Sequence, residues 1–201
     1  MKHIPGSETS ELQILSFADA VQQSQETNYD KQKWIYVPDF YTEYRYVLGT
    51  RGKRPVICAG INPSTAAPDR LDPTLQSVSR VASSNGFDSW LMFNVYAQRA
   101  TMPDDMDQLR NERLHEENMK AFRVLLELAG MRPVVWAAWG TIIEKRPWLI
   151  NCVRDMFRIA EEYDTQWVCA GRRSKKGHPH HPLYLQRNEP FCSFDMEAYL
   201  L

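Results

Sequence analysis

No stretch of this chain approaches the ~20 consecutive apolar residues of a membrane-spanning helix, and Met1 to Glu8 lack the apolar run of a signal peptide. A membrane partner is not expected. Cysteine is scarce. Cys58, Cys152, Cys169 and Cys192 stand far apart, and no pair has the C-x-x-C spacing of a zinc knuckle or redox motif. Neither a disulfide framework nor a metal is expected, and the chain reads as a protein of a reducing cytoplasm. An excess of one charge is lacking too: 24 Lys plus Arg against 25 Asp plus Glu give a formal net charge of −1. A protein that coats nucleic acid indiscriminately is clearly basic, so only a local basic patch is left for such a role. The G-x-x-x-x-G-K-[ST] phosphate loop, the G-x-G-x-x-G dinucleotide turn and the G-x-S-x-G nucleophile elbow are absent, which excludes the commonest occupants of parallel sheets. No cofactor is implied.

What is present is apolar mass for one core. The chain has 201 residues, 43% of them hydrophobic, including six Trp, nine Tyr and eight Phe. That excludes a disordered or low-complexity protein. No linker or repeat divides it, so residues 1–201 read as one domain. Residues 1–9 are polar and expected to be disordered. Residues 10–50 read as an N-terminal helix (Glu11 to about Gln23) and two short strands (Trp34 to Val37, Tyr44 to Leu48) packed on the core.

From residue 55 the pattern alternates. Four apolar runs, Pro55–Ile61, Trp90–Tyr96, Pro133–Gly140 and Gln166–Ala170, read as strands buried on both faces. Between them lie amphipathic segments: Thr74 to Asn85, Thr101 to Gly130 with a break near Asn111, and Thr141 to Glu162 with a restart at Pro147. Strand and helix in alternation predict a three-layer α/β/α sandwich around a four-stranded parallel sheet. In such sheets ligands bind beyond the carboxyl ends of the strands.

The segments after these strands hold most of the unusual chemistry. Gly60-Ile61-Asn62-Pro63-Ser64 breaks a buried strand abruptly and offers an amide at its end, although Asn-Pro also simply initiates turns. Asn94 follows Trp90-Leu91-Met92-Phe93, and a carboxamide there can pair bidentately with a nucleobase edge or be satisfied by backbone groups. Arg99 is expected at the surface, and Trp139-Gly140 packs or opens a helix toward the site. Arg172, Arg173, Lys175 and Lys176 stand between Gly171 and Gly177, suited to phosphate contacts or to plain solvation. His178, His180 and His181 alternate with Pro179 and Pro182 ahead of Leu183 and Tyr184, without the spacing that sets two imidazoles on one helix face.

Taken in order, these motifs resemble a bacterial and phage family of unknown function marked by Asn-Pro-Ser-Thr, Asp-Pro-Thr (here Asp72-Pro73-Thr74) and His-Pro-Leu-Tyr-Leu, over roughly residues 42 to 190. More distantly, Gly60-Ile61-Asn62-Pro63, Phe93-Asn94, the strand ending Trp139-Gly140 and His181-Pro182-Leu183 resemble motifs of the mismatch-specific branch of the uracil-DNA glycosylase superfamily. That resemblance implies strand order 2-1-3-4 and hydrolysis of an N-glycosidic bond, releasing a damaged or modified base from DNA. In that scheme Asn62 positions water with help from Asp72, and His181 stabilises the departing base. Asn94 reads the base edge and Tyr96 or Tyr184 stacks on it, while the basic segment grips phosphates. Two alternatives accompany this reading: a nucleotide, nucleoside or modified-base binding protein without catalysis, and an enzyme acting on a small nucleoside-like molecule.

Overall fold

The computed structural model describes residues 2–23 and 28–201. Among these residues seven strands form one sheet: β1 (Trp34–Val37), β2 (Val47–Thr50), β3 (Pro55–Gly60), β4 (Ser89–Asn94), β5 (Val134–Ala137), β6 (Gln166–Ala170) and β7 (Phe191–Ser193). Their spatial order is β1-β2-β4-β3-β5-β6-β7. The inner four run parallel, and β1, β2 and β7 add antiparallel to the two sides.

This corrects the expectation of a four-stranded parallel sheet and, with it, the fold implied by the resemblance to uracil-DNA glycosylases. The physical reasons are local. Gly49 in β2 sits so close to β4 that a Cβ there would collide with the Trp90 carbonyl and lie 2.9 Å from the Leu91 Cα, so glycine lets the β1–β2 hairpin join the main sheet rather than lie on it. The third addition, β7, lies in a polar tail with no apolar run to announce it. It is anchored by Phe191, whose N–H donates to Asn85 Oδ1 (2.8 Å) and whose ring packs on Trp136 and Phe87.

Side chains alternate across the sheet with period two. Ile57, Ala59, Leu91, Phe93, Val135 and Ala137 face one apolar cluster, and Val56, Cys58, Trp90, Met92 and Trp136 face the other. The first cluster is covered by α1 (Phe17–Gln22), α3 (Glu112–Ala129), α4 (Leu149–Glu161) and α5 (Met196–Leu200). The second is covered by α2 (Pro73–Ser84), through Leu75, Val78, Val81 and Ala82. Helix starts follow capping chemistry. The Asp72 carboxylate accepts from the Leu75 N–H (2.9 Å) ahead of Pro73, and Asn111 does the same for Leu114 (3.2 Å), each cap stabilising its helix by about 1 kcal/mol.

Toward the N-terminus, the expected helix over 11–23 is shorter. Ser16 caps α1 only at Phe17, and the chain before it is extended apart from a 3-10 turn at Thr9–Glu11. The segment expected to be frayed is tied down, except that Met1 lies outside the described residues. His3 is buried with its ring nitrogens on Tyr41 Oη (2.8 Å) and Glu43 Oε2 (2.9 Å), and the Thr9 N–H donates to the buried Asp107 carboxylate (2.9 Å). Among the described residues no helix is long and apolar enough to cross a membrane.

Candidate functional site

The chain leaves β3 for β4 on one side and later returns as β5 on the other, so the strand order reverses between β3 and β5. A cavity of about 530 Å³ opens there, at the carboxyl ends of the strands. Its wall combines the β3 end (Gly60 to Thr65), the start of α2 (Asp72 to Leu75), Met92 and Asn94 of β4, and Ala100, Thr101 and Pro103. Gly140, Thr141 and Ile142 after β5 close one side, and His181, Leu183 and Tyr184 another.

Asn94 is the most exposing feature of the wall. Its residue is 1% accessible, and neither Oδ1 nor Nδ2 has a protein partner. Among the described residues no other side chain has a whole buried amide unpaired. Leaving such a group unsatisfied costs on the order of 1–3 kcal/mol. Gly60, its register partner across the parallel pair, carries no Cβ to fill the space beside it.

Asn62 is fixed differently. Its Nδ2 donates to the carbonyls of Ala100 (2.8 Å) and Pro63 (3.1 Å), which orients the amide and leaves Oδ1 as the unused acceptor. The Ser64 and Thr101 hydroxyls pair at 3.0 Å beside it. On the opposite wall, His181 Nδ1 accepts from the Leu183 N–H (3.3 Å), so the neutral ring carries its proton on Nε2. Burial, reinforced by the neighbouring His180, lowers the His181 pKa and keeps the ring neutral at pH 7. Gly140, at φ 64°, lets this segment approach: a Cβ there would stand 3.2 Å from the His181 Cβ.

Behind the β3 loop lie two buried guanidiniums, Arg45 and Arg99, neither in an ion pair among the described residues. Arg45 donates to the Ala66 carbonyl (3.0 Å) and Arg99 to those of Ser64 and Ala66, with Arg99 also on Tyr36 Oη (2.9 Å) and over the Tyr41 ring (4.4 Å). Arg99 is fully buried, correcting the expectation of a surface position, because these carbonyls and rings replace its water. Arg45 faces the cavity itself. Burial, followed by repulsion from Arg99, pulls its pKa down to about 9, so it stays cationic at pH 7.

The structure thus brings together Gly60, Ile61, Asn62, Pro63, Ser64, Asp72, Asn94, Gly140, His181, Leu183 and Tyr184. Tyr96, Trp139 and Pro182 are not in the wall. The Tyr96 ring is packed on Trp148 (4.6 Å), with its hydroxyl donating to Asp107 (2.5 Å). Trp139 is buried in the core with its indole N–H on Tyr199 Oη (3.0 Å), and Pro182 is buried at the 3-10 turn Pro182–Tyr184. The basic segment also stays off the wall. Lys176 pairs with Glu144 (2.8 Å), Arg173 lies over the Phe194 ring (5.6 Å), and Arg172 and Lys175 are exposed. The three imidazoles diverge: His178 bonds Glu144 (2.6 Å) and Tyr199 (2.9 Å), His180 donates to the His181 carbonyl (2.7 Å), and His181 alone meets the cavity. Arg45, Met92 and Thr101 are wall residues that sequence reasoning did not place there. Arg45 sits in an ordinary Tyr-Arg-Tyr run, and only an unpaired buried cation marks it.

Fold and cavity together define an α/β protein with a strand-end cavity whose wall carries two neutral amides, one imidazole, one buried guanidinium and the Asp72 carboxylate. Comparison with family models matches residues 45–183 to the family described as "Protein of unknown function (DUF1643)", and the chain belongs to that family. No curated protein and no solved structure matches it.

Proposed function

We propose that this cavity binds a small molecule bearing a nucleobase, with the Asn94 carboxamide pairing with the polar edge of the base. The observation that carries the reading is the whole unpaired amide of Asn94 at the end of a buried strand, beside a residue without a Cβ. A carboxamide offers a donor and an acceptor in one plane, the complement of a base edge that presents the same pair. Met92 shares this stretch of wall, and its flexible thioether yields to admit a flat ring to the amide. The volume suits a small ligand. A polymer is less favoured, because Arg45 is the one Lys or Arg in the wall and the basic segment lies elsewhere.

A second reading, hydrolysis of the ligand's N-glycosidic bond, is favoured by His181 and Asn62. Cleavage places negative charge on the departing base, and the Nε2–H of a neutral imidazole is a fixed donor for it, such donors being worth ~3 kcal/mol of barrier. The free Oδ1 of Asn62 holds a water by accepting a hydrogen bond from it. As an amide it orients that water without deprotonating it.

The test is a panel of free bases, nucleosides and nucleotides screened by thermal stabilisation, with release of free base followed by chromatography. Stabilisation by at least one member, lost in Asn94→Leu, supports binding, and base release lost in His181→Gln supports hydrolysis. A panel without any response rejects both.

A further inference from the structure

A guanidinium taken out of water normally finds a carboxylate, because an unpaired buried charge is costly. Arg45 is 2% accessible, its Nε has no partner, and among the described residues no carboxylate forms an ion pair with it, its Nη1 donating to the Ala66 carbonyl instead. Behind it Arg99 is also buried without an ion pair among the described residues, Glu43 acting on it only through space, so a second positive charge lies in this corner. The Asp72 carboxylate in the same wall is the local countercharge, and it is committed to capping α2. The first turn of α2 meets the cavity through Pro73, Thr74 and Leu75. Pro73 has no N–H and that of Leu75 is taken by Asp72, which leaves the Thr74 N–H and hydroxyl at the positive end of a 12-residue helix. Two independent features therefore ask for negative charge at one end of a cavity whose other wall holds the orphan amide.

We infer that the ligand carries an oxyanion, a phosphate or a carboxylate, held by the Arg45 guanidinium and the first turn of α2. The ligand class is then a nucleoside monophosphate or a carboxylated base rather than a neutral nucleoside. The oxyanion part stands on Arg45 and α2, whereas the base part rests on the nucleobase reading of Asn94. Guanidinium and backbone N–H together suit an oxyanion because both present donors that fork onto its oxygens.

The experiment is calorimetric titration of the protein with matched pairs: each common nucleoside against its 5′-monophosphate, and uracil against its 6-carboxylate, with inorganic phosphate as a separate arm. The first pair isolates a phosphate and the second a carboxylate. The anionic member of at least one pair is expected to bind at least about tenfold more tightly than its neutral partner, the scale of one charge-assisted hydrogen bond. Arg45→Met is expected to abolish that ratio, and Arg45→Lys, which keeps the charge, to retain part of it. Equal affinities within every pair overturn the inference while leaving the base reading intact. Arg45-dependent binding of inorganic phosphate without any base-dependent binding upholds the anion site and rejects the base. A protein that responds to neither loses both.

Discussion

Gly60 and Asn94 face each other as register partners at the carboxyl ends of β3 and β4, and a Cβ on Gly60 would lie 3.1 Å from Asn94 Oδ1 and against the Met92 methyl. The missing side chain leaves the space beside the amide to the flexible end of Met92, which can withdraw where a Cβ could not. Gly60→Ala is expected to fold, since the Met92 end is flexible, with stability lowered by about 1–3 kcal/mol. Ligand-induced stabilisation is expected to fall far more than stability does. Thermal melts with and without ligand check both halves.

Replacing the orphan amide by an apolar group of similar size relieves its desolvation. Asn94→Leu is expected to leave the unliganded protein as stable as the parent or more so, by up to about 1–3 kcal/mol, while ligand binding is lost. Chemical denaturation of the two proteins measures the first effect. A clear loss of stability would place Asn94 among the structural residues instead.

His181 makes stability depend on pH. Its folded pKa lies below the ordinary 6.5, through burial first and His180 second, with Asp72 opposing. The unfolded chain therefore binds the proton more readily, so stability rises with pH in this window. The contribution is complete above about pH 6.5 and is lost as pH falls from there toward the folded pKa. His115, likewise lowered by burial, adds in the same direction. Melting temperatures between pH 5 and 8 are expected to drop on the acid side, and the drop to be smaller in His181→Gln.

Tyr96 serves the core, not the cavity. Its hydroxyl donates to Asp107, and it receives the Asn111 N–H (3.1 Å) at the start of α3. Tyr96→Phe leaves those groups short of a partner and is expected to cost about 1–3 kcal/mol with ligand affinity unchanged. Denaturation together with ligand titration of the variant separates the two roles.

For the basic segment, the joint replacement of Arg172, Arg173, Lys175 and Lys176 by Ala is expected to leave small-ligand affinity within about twofold, because these residues lie outside the cavity wall. A loss of tenfold or more in titration would restore them to the site.

The parts of this molecule that the sequence makes legible are those where one physical signal dominates. Val56 to Ala59 are fully buried on both faces and appear as an unbroken apolar run, and Asp72-Pro73 marks the start of α2 through its cap and its fixed φ. The strand-end rule then gathers Asn62, Asn94 and His181 around one cavity without any knowledge of distances. What stays hidden depends on contacts remote in sequence. The antiparallel additions rest on a close approach at Gly49 and on Phe191 meeting Asn85, neither of which leaves a local pattern. Tyr96 sits two residues past Asn94 and reads as a stacking ring, but the Thr9–Asp107 contact draws its hydroxyl into the core. Arg45 stands in a Tyr-Arg-Tyr run that carries no signal, and its burial depends on the loop at Ser64 to Ala66 folding its carbonyls around two guanidiniums.

Thermal stabilisation of the parent protein and of Asn94→Leu by the same panel of bases, nucleosides and nucleotides tests the role of Asn94 most directly. A base-dependent rise in melting temperature in the parent, absent in the variant, is the predicted result. Silence across the panel, or an equal rise in both proteins, contradicts it.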